Sequence, residues 1–434
     1  MNDPWVSLLI AGAILLAGFL ASLSFDRFHV PDFIVLIALG IVLGHIPVSP
    51  FGSTMVDSLQ PVLPAFTALT LAFILFEGGL TLRLEVERRE MLAILGHIAG
   101  AMALTFVLVW FLVRMTLHLD ELTSLVLAAA FAGPSATIAT SFARRLAIGE
   151  HASGVIVLEG VLTNVIAVVL VVFLLNYKGA VTLNTVLPYA IAAAVAAVGA
   201  FVFGAAWHLL SHRLAAHKFV AMATVALAIV VYAVFEGFVG SSGAVAAFVF
   251  GFAVGYVLPS EGHDDGVKAH DGMLKTFQSE VAFALRTFFF VYLGLLITLE
   301  IINAQVVIVA VLISIGMILV RVPSTLGLSY VLILNRVETR AVLGNVARGM
   351  TDVILVLLAL QSGVLPPSDT GTIIATLTIV VLLSAAASAA LLFSAGRDGA
   401  RRPPQKKEGP PKGLAAAPVK AEGSGSAEAD VRTH

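Results

Sequence analysis

Apolar runs of roughly 17–25 residues, the length at which a helix crosses about 30 Å of hydrocarbon, follow one another along nearly the whole chain. They leave no polar stretch long enough for a soluble catalytic domain. With 59% hydrophobic and 12% charged residues among 434, the chain has about half the charge of an ordinary soluble domain. The expected fold class is an all-α polytopic membrane protein. The first run, Trp5 to Leu23, has no basic stretch before it and is followed by Asp26 and Arg27 rather than a small-residue cleavage site, so it reads as a first span.

Breaks rich in charge, Pro or Gly divide the sequence into about thirteen spans, near 5–23, 32–46, 62–80, 91–115, 121–143, 152–176, 186–210, 217–239, 242–258, 277–298, 302–320, 338–361 and 371–393. The stretch 321–337 is the weakest part of this division, and one reading of it extends the eleventh span as a long tilted helix. Lys and Arg should collect in cytoplasmic loops. Alternate loops hold Arg27; Arg83, Arg88 and Arg89; Arg144 and Arg145; Arg213 and Lys218; Lys268 and Lys275; and Arg336 and Arg340. Eight more basic residues follow residue 394, whereas the intervening loops hold Lys178. The expected topology therefore has an outward N-terminus and a cytoplasmic C-terminus, in a cell (inner) membrane. Residues 1–394 form the transmembrane domain, and 395–434, rich in Gly, Pro, Ala, Lys and Glu, are expected to be a disordered cytoplasmic tail.

Function is expected where charge lies at membrane depth, because a charge facing lipid is costly. The candidates are Glu77, Glu159, Arg286, Arg321, Arg348 and Asp352. Arg286, with Glu280 six residues earlier, reads as a structural partner to a carboxylate or a helix end. Glu77 belongs near the cytoplasmic end of its span, where Gly78 and Gly79 allow close helix approach. Ser135, Thr137 and Ser141 are candidate lining residues, and His263 to His270 has metal-ligand residue types without ordered spacing. There are no cysteines, and no phosphate-binding glycine loop or dinucleotide fingerprint appears, which excludes thiolate chemistry and an ATP-driven pump in this chain. An intramembrane enzyme would need a nucleophile–base pair or a His/Asp metal cluster at depth. The spans hold almost no histidine, His97 near a helix end being the clearest exception.

Two spans carry material that breaks helices. The fifth contains Gly133-Pro134 followed by Ser135; the twelfth reads Gly344-Asn-Val-Ala-Arg-Gly-Met-Thr-Asp352. Their separation by seven spans makes spans 1–6 and 8–13 equivalent halves of opposite orientation, the inverted-repeat plan of secondary transporters with discontinuous helices at the midplane. Such breaks offer free backbone amides and carbonyls to an ion.

Several segments in the expected order resemble those of the monovalent cation:proton antiporters, sodium/proton exchanger branch. They are Leu75-Phe-Glu-Gly-Gly-Leu80, Glu159 with the polar pair that follows, Leu285-Arg-Thr-Phe-Phe-Phe-Val-Tyr-Leu-Gly294, Leu319-Val-Arg321 and Arg348-Gly349. The resemblance covers nearly all of residues 1–395 and implies a homodimer in which a six-helix core domain moves as an elevator against a dimerisation domain. It also implies exchange of a monovalent cation, sodium or potassium with lithium as a further candidate, for protons. Membrane lipid is the surrounding partner, and no cofactor, nucleic acid or metal beyond the transported cation is expected. The sixth-span glutamate is expected to pair with the eleventh-span arginine, here Glu159 with Arg321.

The family pattern Glu-x-x-x-Asn-Asp ends in a carboxylate that binds cation or proton. Here it reads Glu159-Gly-Val-Leu-Thr-Asn164, and an amide cannot release a proton for a cation. The fifth-span Thr-Asp-Pro is Ala132-Gly133-Pro134. Three accounts are open. The titrating carboxylate has moved to Asp352, with Thr163, Asn164 and backbone carbonyls as neutral oxygens; or Glu159 itself titrates against Arg321; or the chain is a proton-uncoupled cation pathway or a non-transporting sensor with the antiporter fold. The first is the leading expectation.

Overall fold

The computed structural model describes residues 4–28, 32–45, 61–82, 88–135, 138, 150–176, 183–214, 217, 219–256, 265–297 and 299–400. Every longer regular element among them is an α-helix: α1 Pro4–Phe28, α2 Asp32–His45, α3 Leu63–Thr81, α4 Arg88–Leu112, α5 Glu121–Ala130, α6 Glu150–Leu175 and α7 Leu183–Arg213. There follow α8 Val220–Phe238, α9 Gly243–Tyr256, α10 Asp265–Leu295, α11 Ala304–Leu332, α12 Arg336–Leu343, α13 Met350–Gln361 and α14 Thr370–Ala400. Seven of the described helices are long and apolar enough to cross a membrane, and α2, α5, α9 and α13 are shorter apolar helices. The protein is a multi-pass membrane protein.

Local chemistry sets the ends. Asp120 caps α5 by accepting from the Thr123 amide at 3.2 Å. Asn335 and Glu338 form a reciprocal capping box at the start of α12. The uncertain stretch after residue 320 is resolved in favour of one long helix, because α11 runs through Pro323 to Leu332. The helix α10 begins at Asp265, well before the expected 277, so the backbone of Asp265 to His270 is helical rather than loop. Likewise α14 continues to Ala400, past the expected boundary at 394. Residues 401–434 lie outside the described residues, as do Thr137, Ser141 and His263. Arg114 stands at the end of α4 opposite to Arg88 and Arg89, where it donates to Leu119 O at 2.7 Å and lies 3.4 Å from Glu121.

Glycines decide which helices touch most closely. In α2 and α10, a Cβ on Gly40 would lie 2.8 Å from the Cα of Gly294. In α3 and α9, a Cβ on Gly79 would lie 2.7 Å from Phe252 N, and one on Gly255 2.6 Å from Leu80 O. Backbones that approach this far gain dispersion contacts that lipid cannot supply. Around them large apolar side chains such as Val198, Val202 and Phe203 of α7 point outward, as expected of a lipid-facing surface.

Candidate functional site

The two helix breaks meet in space. Helix α5 ends at Ala130 and the chain is non-helical through Ser135, while α12 stops at Leu343 and α13 starts at Met350. The Ser135 amide donates to Ala347 O at 2.8 Å, joining one break to the other through the backbone. Each glycine of the crossing faces a small polar side chain: a Cβ on Gly133 would run into Thr163, and one on Gly349 into Ser135. Pro134 lies between these contacts, where its missing N–H removes a helix bond.

Helix α14 holds the ends of the second break. Ser388 donates to Gly344 O at 2.6 Å, and one turn earlier the Ser384 hydroxyl accepts from the Arg348 amide at 3.0 Å. The fully buried Arg348 side chain spans the crossing. Its Nη1 donates to Gly133 O and its Nε lies 3.3 Å from Met317 Sδ. Asp352, also buried, closes the first turn of α13: its Oδ2 accepts from the Gly349 amide at 2.6 Å. No ion pair within 4.0 Å involves Asp352 among the described residues. Charge on that carboxylate is thus stabilised by the field of the buried Arg348, which does not touch it, and by the helix N-terminus.

Helix α6 connects the crossing to a second cluster. Thr163 packs on Gly133 and donates its hydroxyl to Glu159 O at 2.8 Å, which leaves its oxygen lone pairs available. One turn back is Glu159, with no exposed surface. Arg321 of α11 grips both its oxygens, Nη1 to Oε1 at 2.5 Å and Nη2 to Oε2 at 2.9 Å, and Nη2 also donates to Val342 O at 3.1 Å. Asn345, in the second break, donates to Oε2 at 2.9 Å. His97 of α4 approaches Oε1 to 3.7 Å.

The structure therefore gathers Gly133, Pro134, Ser135, Arg348 and Gly349 at the crossing, with Thr163 against it and Glu159 and Arg321 paired one turn away. Asn164 follows Thr163 and is almost fully buried. What joins the crossing to α6 is the Gly133–Thr163 contact, while Asp352 is held by its own helix. Arg286 pairs with Asp32, the first residue of α2, at 3.4 Å rather than with Glu280. Glu77 is half-buried in α3, where its carbonyl accepts from Thr81. Sequence reasoning missed Asn345, Ser384 and Ser388, and it put His97 near a helix end, whereas His97 is buried well inside α4. Asn345 lay in plain view inside the glycine-flanked break, and a histidine in an apolar helix was itself a signal.

Residues 12–393 match the sodium/hydrogen exchanger, transmembrane, family. The fold is similar to that of the sodium proton antiporter MjNhaP1 from Methanocaldococcus jannaschii at pH 8, with a TM-score of 0.74 and 18% identity over 91% of this chain and 98% of that one. A structure of the same antiporter from an electron-microscopy map gives 0.71 and 19% identity, covering 93% of this chain and 100% of that one. No protein with a curated description matches the sequence. At such identities the likeness carries the fold alone.

Proposed function

The chain belongs to the transmembrane sodium/hydrogen exchanger family, and from that premise we propose that it exchanges sodium for protons with Asp352 as the carboxylate that binds one or the other. Membership makes it a transporter for cation/proton exchange rather than an enzyme. The finer reading rests on one observation: of the two carboxylates buried around the crossing, Glu159 is gripped by Arg321, whereas Asp352 has a backbone amide on one oxygen and no ion pair within 4.0 Å among the described residues. A carboxylate already neutralised by a guanidinium gains little from sodium. One without such a partner gains from either a proton or a hard monovalent cation. Thr163, Asn164, Ser135 and the carbonyls of the crossing are the neutral oxygens within the same region.

Movement follows from the same plan. We read α5–α6 and α11–α14 as parts of a core that carries the crossing past a more static unit by elevator-type alternating access, in a homodimer built from two inverted-topology halves. The distribution of basic residues among the loops supports an outward N-terminus and a cytoplasmic C-terminus in a cell (inner) membrane, with residues 1–394 as the transport unit and 395–434, whose first residues continue α14, as its tail. Potassium and lithium are the other cations to be compared.

A second reading, a proton-uncoupled pathway or a sensor, is favoured by the amide at Asn164 where the family pattern has aspartate. One experiment separates them. In proteoliposomes holding the full chain and a pH-sensitive dye, sodium, potassium and lithium pulses are compared for the wild type and Asp352→Asn. Cation-driven proton movement that disappears in Asp352→Asn supports the first reading. Undiminished movement in the variant removes Asp352 from the mechanism, and no movement for any cation in the wild type supports the sensor.

A further inference from the structure

Residues 344–349 separate α12 from α13, and their buried backbone groups need partners other than those a helix would supply. In an uninterrupted helix the Arg348 amide would donate to Gly344 O, four residues back. Here the two members of that pair are held apart, and each is met by a serine of α14. The Arg348 amide donates to Ser384 Oγ at 3.0 Å, and Gly344 O accepts from Ser388 Oγ at 2.6 Å. The two serines are themselves four residues apart, so they stand one above the other on one face of α14. Ser384 donates its own proton to Val381 O at 3.2 Å, which leaves a lone pair for the amide. Gly344 O takes a second bond from the Val346 amide at 2.9 Å, and Ala347 O accepts from the Ser135 amide. Both serines are buried, so water does not compete for these bonds. Gly344 lets α14 come this near: its φ of −73° is open to any residue, but a Cβ on it would lie 3.1 Å from Leu391 Cβ and 3.3 Å from Leu392 Cγ.

We propose that Ser384 and Ser388 are positioning residues, which keep the second break open by standing in for the missing helical bond between the Arg348 amide and Gly344 O. One supplies the acceptor and the other the donor, so the break is specified from α14 as well as by its own glycines. The held segment carries the groups of the crossing: the Arg348 side chain reaches Gly133 O, Ala347 O receives the Ser135 amide, and Gly349 receives the Asp352 cap. Without the two hydroxyls the buried Arg348 amide loses its partner, and residues 344–349 are no longer fixed in one arrangement. Neither serine needs to touch the transported ion, because both act through Arg348 and Asp352. The consequence for transport rests on the exchange reading, whereas the state of the break can be measured without transport.

The full chain is compared with Ser384→Ala, Ser388→Ala and the double variant. Thr378→Val is the control, since Thr378 is buried on the same helix but bonds Ile374 O of its own backbone. Deuterium uptake by peptides covering 344–349, in detergent, reads the break. Proteoliposome assays read the sodium concentration that gives a half-maximal rate per folded molecule. Uptake in 344–349 is expected to be faster by about 3-fold or more in the serine variants, the ratio that goes with loss of one ordinary hydrogen bond, and unchanged in Thr378→Val. The half-maximal sodium concentration should shift by a similar factor in the serine variants and stay at the wild-type value in the control. Unchanged uptake in the double variant overturns the proposal. So does faster uptake with an unchanged half-maximal sodium concentration in a protein that transports. Should the double variant fail to fold, the single variants decide on the same readings. If the wild type moves no cation, the exchange reading fails and the uptake result alone decides whether the serines hold the break.

Discussion

Arg321 binds Glu159 across 162 residues of sequence with a two-pronged grip, Nη1 on one oxygen at 2.5 Å and Nη2 on the other at 2.9 Å, at a point where neither side chain meets solvent. Such a fork engages both oxygens of the carboxylate and fixes α6 against α11. Removing one partner strands the other as an unpaired buried charge, which typically costs about 3–5 kcal/mol. Arg321→Met and Glu159→Gln are each expected to lower stability by about that much, and the double variant by clearly less than the sum of the two. Chemical unfolding in detergent reads the cycle, and strictly additive losses would show that the pair is not coupled.

Gly133 has a different claim on the site. A Cβ there would overlap the Thr163 side chain, so the contact between the first break and α6 depends on the absence of one carbon. Overfilling a packed contact costs about 1–3 kcal/mol. Gly133→Ala is therefore expected to destabilise the protein and depress exchange. Thr163→Gly in the same chain should restore a large part of the stability by removing the opposing atoms. If Gly133→Ala is as stable as wild type, the close approach is not constraining the crossing.

Much of this was readable from sequence, for reasons that differ by element. Long apolar helices announce themselves because lipid requires a span to be predominantly apolar, so α3, α4, α6, α7 and α8 fall where runs and breaks put them. The helix breaks at Gly133-Pro134 and at Gly344 to Gly349 were legible because their residue types disfavour helix. By contrast, Asn345 and His97 reach Glu159 from distant parts of the chain, and no local pattern encodes which buried amide or imidazole meets which carboxylate. Ser384 and Ser388 were invisible for another reason: a hydroxyl in a membrane helix ordinarily bonds its own backbone, and only the tertiary structure reveals that Ser388 bonds Gly344 O and Ser384 the Arg348 amide. The early start of α10 went unseen because its first turns are polar and give no apolar signal.

The contact of α3 with α9 supplies a prediction away from the site. Gly251 presents its Cα to the backbone around Phe76 and Leu80, and a Cβ there would come within 3.1 Å of Leu80 N. Gly251→Leu must drive the two helices apart, exposing Phe76 and Phe250, whose rings now stack with centroids 5.8 Å apart. A loss of stability of at least about 1–3 kcal/mol is expected, with Gly237→Leu, where nothing lies within 4 Å of a Cβ, as the tolerated control. Equal thermal stability of the two variants would refute the close-packing account.

Asn164 offers the most direct examination of how the exchangeable carboxylate is placed. It follows Thr163, which touches Gly133, so a carboxylate there would stand beside the same crossing that Arg348 and Asp352 serve. Asn164→Asp changes a neutral amide of nearly the same shape into a group that can hold a proton or a cation. Were Asp352 the sole exchanging carboxylate, Asp352→Asn would be inactive and the double variant Asn164→Asp/Asp352→Asn would regain cation-driven proton movement, since the site again has one carboxylate of that kind. Asn164→Asp alone carries two, and its exchange should differ from wild type in pH dependence because a second proton site lies close to the first. Proteoliposome assays on the four proteins check this, with stability measured alongside to exclude misfolding. A folded double variant that remains inactive would mean that Asp352 contributes more than a movable negative charge, namely the cap on Gly349 that holds α13 in register with the crossing.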